Sequence, residues 1–166
     1  KKSNELMAYA YSHLYDLPIS GVRFFTVYGP WGRPDMAPMI FSKAIIASKP
    51  IKVFNDGNMY RDFTYIDDVI ESLIRLIDKP PKKSTDNNSI KIPKIIPPCR
   101  VINIGNGKPI KLMEFINILE KEIGMKANKT FDKLQPGDIK VTHADTSFIE
   151  GLTGYRPKTD LKDGIK

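Results

Sequence analysis

Short apolar runs of strand type alternate along this chain with stretches of helical periodicity, and that alternation limits the possible folds more than any other feature. The run "PISGVRFF", with Val22, Phe24 and Phe25, predicts a short buried strand. "IKVF" and "RDFTYI" predict two extended pieces around the turn "NDGN", and "VINI" predicts a further buried strand. Between these runs the spacing changes. Met7, Ala10, Tyr11 and Leu14 share one face of a helix expected over residues 1 to about 16, and Met39 to Ser48 predicts a helix that stops before Pro50. Ile66, Val69, Ile70, Leu73, Ile74 and Ile77 mark a third helix, which Asp67 or Asp68 can cap. Leu112, Phe115, Ile116, Leu119 and Ile123 mark a fourth. A short strand near Lys129 to Phe131, the turn "LQPGD" and a short helix from about Thr146 follow. Strands alternating with helices indicate an α/β protein.

The 166 residues suffice for one domain with a core of its own. The first helix begins at Lys1 with no capping signal, and "LKDGIK" starts another helix at the far end, so both ends are expected to be truncated. Residues 1–166 are thus read as a single truncated unit. The polar, proline-laden stretch 79–100 is expected to be a flexible loop. No signal peptide is expected, and no apolar run approaches the roughly 20 residues of a membrane span. Cys99 is the sole cysteine, which excludes an internal disulfide and fits a reducing cytoplasm. His13 and His143 stand far apart without a cysteine cluster, so no metal site is expected. The net charge of +7 raises the question of a nucleic-acid partner. Its densest lysines (Lys79, Lys82, Lys83, Lys91 and Lys94) fall in the 79–100 stretch, with neither a recognition-helix pattern nor interleaved aromatics. They read as a solvated surface, and an anionic small ligand accounts better for the few placed cations.

No Gly-x-Gly-x-x-Gly follows a strand, and "GNGKP" lacks the remaining parts of a phosphate loop, so it reads as a plain turn. No Ser/His/Asp or Cys/His arrangement is suggested. Three loops at strand ends stand out instead: "TVYGPWGRPD", "MYRDFTYIDD" and "LQPGD". Open α/β sheets bind ligands at such ends. Singly, each has a plain reading: Arg61 beside Asp62 as a surface ion pair, Arg33 as a solvated loop residue, "QPGD" as a turn.

Taken in order, "RFFTVYGPWGRPDM", "RDFTYIDDV", "VINIGNGKPIKLMEFI" and "LQPGDIKVTHADTS" resemble the extended short-chain dehydrogenase/reductase family, and within it the UDP-glucuronate 4-epimerases. The resemblance runs nearly end to end. It implies the carboxyl-terminal part of an extended Rossmann-type nucleotide-sugar epimerase: the last parallel strands and helices of the NAD-binding domain, intermixed with a small substrate-binding subdomain. It also implies that Lys1, with Lys2 as the fallback, is the lysine of a Tyr-x-x-x-Lys motif. The tyrosine and the glycine-rich NAD loop would then lie upstream, NAD being bound mainly by the missing amino-terminal half, and this piece alone would be inactive.

By the same resemblance, Lys1 lies near the nicotinamide ribose and favours the tyrosinate, and Phe24 and Val27 approach the nicotinamide. From the residues alone, Phe24 and Phe25 are equally read as core. Thr26 and Arg33 fall where these epimerases grip the C6 carboxylate of glucuronate, and neutral-sugar relatives carry asparagine at the Thr26 position. A hydroxyl beside a planar guanidinium fork suits a carboxylate. Arg61 corresponds to a diphosphate-binding arginine, while Phe54 stacks on uracil and Lys52 acts through its backbone. Asp138 corresponds to a ribose ligand, and Gln135 replaces an arginine that contacts phosphate. The implied partners are a UDP-sugar and a second copy, since family members pair the Tyr/Lys helix in a homodimer; neither a nucleic acid nor a membrane is implied. Another nucleotide-sugar epimerase, a 4,6-dehydratase, a UDP-glucuronate decarboxylase and a non-catalytic UDP-sugar-binding module are the alternative readings.

Overall fold

The computed structural model describes residues 1–86 and 94–166; Lys91 of the lysine group lies outside the described residues. Helix α1 (Lys2–Tyr15) leads into strand β1 (Ile19–Phe24), which runs parallel to β7 (Cys99–Ile104) with Val22 opposite Ile102. Strand β2 (Thr26–Tyr28) follows after one residue and lies parallel to β4 (Tyr60–Tyr65), whose first residues pair antiparallel with β8 (Pro109–Lys111). Strand β3 (Pro50–Phe54) pairs in parallel with β9 (Asn128–Asp132). Thus the two extended pieces flanking "NDGN" do form, but each takes a distant partner rather than the other. The "NDGN" turn itself is a 3-10 turn over Asn55–Gly57.

Helices α2 (Ala37–Ile46), α3 (Ile66–Ile77), α4 (Leu112–Ile123), α5 (Ser147–Thr153) and α6 (Leu161–Ile165) complete the chain. Parallel strands with intervening helices make this a mixed α/β arrangement. Within the stretch 79–100, strands β5 (Ser84–Asp86) and β6 (Lys94–Ile96) pair antiparallel, an element that its polar composition concealed. Among the described residues no helix is long and apolar enough to cross a membrane.

The main core lies between β2, β3 and β4 on one side and α2, α4 and α6 on the other. It is built from Phe41, Ile45, Ile51, Val53, Phe63, Phe115, Ile116 and their neighbours. Phe63 stacks on Phe115 with ring centroids 4.6 Å apart, and Tyr28 meets Phe63 edge-on. A smaller core joins Val69 and Leu76 of α3 to Ile102, Ile104 and Ile149. Helix α6 seats tightly because residue 164 is glycine. A Cβ there would come within 2.5 Å of the Tyr28 hydroxyl and 2.8 Å of the Tyr65 ring.

Several expectations are corrected. Phe24, the last residue of β1, is exposed rather than buried. The apolar stripe of α1 faces solvent at Met7, Tyr11 and Leu14, and the buried residue of that helix is Ser12, whose hydroxyl donates to the Leu17 carbonyl. Neither Asp67 nor Asp68 caps α3. The cap position is Tyr65, both carboxylates fall inside the first turn, and Asp68 instead accepts from the Tyr155 hydroxyl (2.6 Å) and the Thr159 N–H (2.9 Å). On the same helix Ile70, Ile74 and Ile77 are exposed although their spacing continues the apolar pattern.

A buried ionic knot ties α4 to β9. Glu120, 4 % exposed, accepts from Lys126 and from the Ala127 N–H, and pairs with Lys129. Burial alone would raise its carboxyl, but the lysine and amide donors outweigh burial and hold it at about 2, against an ordinary 4.5. A carboxyl lowered by folding contributes stability above its unfolded pKa and loses it as pH falls through the folded one. This contribution is therefore complete above pH 4.5 and fades between 4.5 and about 2. Glu120→Gln in the whole protein is expected to cost about 2 kcal/mol at neutral pH and to flatten the acid limb of the unfolding-midpoint curve. An acid limb that is unchanged in the variant would disprove the assignment.

Candidate functional site

The loop "TVYGPWGRPD" leaves β2 at the carboxyl end of a parallel strand and reaches α2 through two tight turns. In the first, the Gly32 N–H donates to the Gly29 carbonyl at 3.2 Å; in the second, the Met36 N–H donates to the Arg33 carbonyl at 3.2 Å. Pro34 stands at the second position of that latter turn, where its fixed φ is favoured. Trp31 does not pack the loop: it is fully exposed, with a left-handed φ of 60°.

Two cavities open beside this loop. The larger, about 760 Å³, is lined among others by Lys1, Phe24, Val27 and Arg33. The smaller, about 440 Å³, is lined by Thr26, Lys52, Phe54, Arg61 and Asp138 together with the apolar side chains of Met59, Phe63 and Leu112. Met36 borders both. Residues singled out in four separate stretches of sequence thus converge on one cavity, and the remainder on its neighbour. Gln135 borders neither. It is exposed, and its carbonyl accepts from the Asp138 N–H in the "QPGD" turn.

Arg61 and Asp62 are not the surface ion pair that their adjacency suggested. Successive residues of a strand point to opposite faces. Arg61 turns to the smaller cavity, where its Nη2 donates to Asp138 Oδ1 at 2.8 Å and its Nη1 donates to the Ile139 carbonyl at 2.6 Å and the Tyr60 carbonyl at 3.0 Å. Asp138 therefore bonds the arginine directly, a contact that sequence reasoning missed because the two residues are far apart in the chain. Asp62 points inward and is fully buried. Its carboxylate accepts from the backbone N–H groups of Asn106 (2.9 Å), Gly107 (3.0 Å) and Ala144 (2.9 Å). It pins two loops behind the site, a role that its place beside Arg61 in the sequence did not reveal.

Arg33 forms a two-point pair with Asp35: Nε donates to Oδ1 at 3.1 Å and Nη2 to Oδ2 at 2.5 Å. Both side chains are exposed, and the Arg33 guanidinium holds the Asp35 carboxyl below the usual carboxylate range.

Residues 1–92 match the profile of the NAD dependent epimerase/dehydratase family, more than half of the chain. The chain belongs to that family. It is 44 % identical over 173 residues to a probable UDP-glucuronate 4-epimerase of Rhizobium meliloti, covering 99 % of this chain and 49 % of that protein. It is 41 % identical over 170 residues to UDP-glucuronate 4-epimerase 4 of Arabidopsis thaliana, covering all of this chain and 38 % of the plant protein. Among solved structures, the UDP-glucuronic acid 4-epimerase of Bacillus cereus in complex with UDP-glucuronic acid and NAD superposes with a TM-score of 0.82 at 38 % identity, over 99 % of this chain and 48 % of that one. The chain spans about half the length of the relatives it matches. A dTDP-glucose 4,6-dehydratase from Streptomyces venezuelae, at 21 % identity and TM-score 0.82, shares the fold.

Proposed function

We propose that this chain is the nucleotide-sugar-binding part of an NAD-dependent UDP-glucuronate 4-epimerase, which interconverts UDP-glucuronate and UDP-galacturonate through a 4-keto sugar. The observation that carries this reading is the convergence of Thr26, Lys52, Phe54, Arg61 and Asp138 on one cavity, separated only by Met36 from a second cavity that holds Arg33. The smaller cavity suits a nucleoside diphosphate. Phe54 offers a ring face to uracil, beside the Lys52 backbone, and Arg61 supplies a fixed cation for the diphosphate. Asp138, already bonded to Arg61, keeps a second carboxylate oxygen for a ribose hydroxyl. Thr26 and Arg33 then face the C6 carboxylate.

The larger cavity fits a nicotinamide ribose. Lys1, Phe24 and Val27 all line it, and half-exposed Phe24 leaves an apolar surface uncovered there. When bound, NAD supplies hydride abstraction and return at sugar C4. Lys1 would place a positive charge beside a tyrosine phenol and lower its pKa. The chain's own residues bind and orient the sugar. Without the glycine-rich loop and that tyrosine, this piece alone is not expected to turn over.

The same reading places residues 1–166 at the junction of the NAD-binding and sugar-binding domains of a cytoplasmic homodimer. The exposed Leu6, Met7, Leu14 and Tyr15 of α1 then provide the self-association face. A second reading, a neutral-sugar member of the family, is favoured by one observation: the Arg33 fork is already engaged by a carboxylate of the chain itself. The deciding experiment incubates the whole protein with UDP-glucuronate and follows the sugar H4 signal by proton NMR. A galacturonate signal without free NADH supports the proposal. A pentose product with release of carbon dioxide indicates a decarboxylase. Conversion of UDP-glucose alone indicates the neutral-sugar reading.

A further inference from the structure

Arg33 is the residue expected to grip a carboxylate, yet the structure already gives it one. The pair is built locally. Arg33, Pro34, Asp35 and Met36 form a hydrogen-bonded turn, which sets the two side chains two residues apart on one bend of the backbone. A guanidinium carries five N–H donors on two usable edges. Asp35 takes the Nε–H and one Nη2–H. The Nη1/Nη2 edge, made of one hydrogen from each nitrogen, has no protein partner among the described residues, and Arg33 borders the larger cavity.

We propose that Asp35 is a positioning residue for carboxylate recognition: by occupying the Nε edge of Arg33 it fixes the plane of the guanidinium and presents the Nη1/Nη2 edge to the uronate. The inference rests on the proposed uronate specificity and extends it to a residue that no substrate atom touches. Two anionic groups can share one guanidinium without competing because each takes its own edge. The Asp35 carboxyl, kept low by Arg33, stays ionised at working pH and so remains an acceptor for the guanidinium. Recognition then depends on the geometry of the free edge. A bare cation would attract any anion, whereas the near-neutral Arg33–Asp35 unit selects one with two oxygens correctly placed.

The test uses the whole protein carrying Asp35→Ala or Asp35→Asn, each with Arg33 intact and with Arg33→Ala. With Arg33 intact, Asp35→Ala is expected to raise KM for UDP-glucuronate about tenfold, a loss of about 1.4 kcal/mol in binding, while kcat changes far less. Asp35→Asn, which retains one acceptor oxygen, should lie between. In the Arg33→Ala background neither substitution should matter, and binding of UDP-glucose, measured by calorimetry with Arg33 intact, should be unaffected by either Asp35 substitution. A KM that stays level or falls would make Asp35 a spectator or a competitor and overturn the proposal. So would an equal loss in the Arg33→Ala background. If the unsubstituted protein does not act on UDP-glucuronate, the uronate reading fails on its own, and the pairing is decided separately by nitrogen-15 NMR of the ligand-free protein. The Arg33 Nε–H signal should be protected from exchange and lose that protection in Asp35→Ala; no change on substitution would refute the positioning role.

Discussion

Asp62→Ala is expected to destabilise the whole protein by about 3–5 kcal/mol, the largest stability effect of any single side chain at the site. The substitution strips three buried backbone N–H groups, those of Asn106, Gly107 and Ala144, of their acceptor at once. Water cannot replace the carboxylate, because Asp62 is fully buried and the loops it joins are in close contact: a Cβ on Gly105 would lie 2.4 Å from that of Ala144. Asp62→Asn keeps the shape but presents an NH₂ group where a second acceptor is needed, so it should recover only part of the loss. Urea unfolding followed by circular dichroism measures both variants. A midpoint for Asp62→Ala within error of the unsubstituted protein would show that the loops hold without the carboxylate. Since Arg61 precedes Asp62 on β4, the weakened variant should also bind UDP-sugars more loosely.

In turnover, the largest selective effect is expected from Arg33→Ala. Removing a charge-assisted, two-point contact with a carboxylate costs about 2–3 kcal/mol, so kcat/KM for UDP-glucuronate should fall about 100-fold. A neutral UDP-sugar presents a hydroxymethyl group at the same position and should lose only a few-fold. The ratio of the two losses is the informative quantity, because damage to folding or to the diphosphate site lowers both alike. Equal losses would remove Arg33 from carboxylate recognition and return the choice of sugar to Thr26 and its surroundings. The same comparison at Arg61 should give the opposite result: on the proposed reading Arg61, bonded to Asp138 and a backbone carbonyl, meets the diphosphate, which every UDP-sugar shares.

The order of elements and the α/β class were legible because local spacing reports them directly: α1, α3, α4 and β7 fall within a residue or two of where their periodicity predicts them. The cavity-lining residues were legible for a different reason. Each stands in a loop or strand end with an unusual composition, and four such stretches in order carried a family resemblance that the family match then bore out. Periodicity shows that a segment has an apolar face but not what covers it. That is why Phe24, equally read as core, and Ile74, on the apolar stripe of α3, stand exposed.

The sequence by itself thus determined the fold class, the family and the loops that border the cavities, since these depend on spacing and residue type along the chain. Only the tertiary structure decided the partners. It separated Arg61 from Asp62 by the alternation of β4, bonded Arg61 to Asp138 and buried Asp62 among three backbone amides. Hydrogen bonds of this kind are set by distance and direction in space. Residues 62, 106 and 144 come within 3 Å only after the sheets and helices have packed.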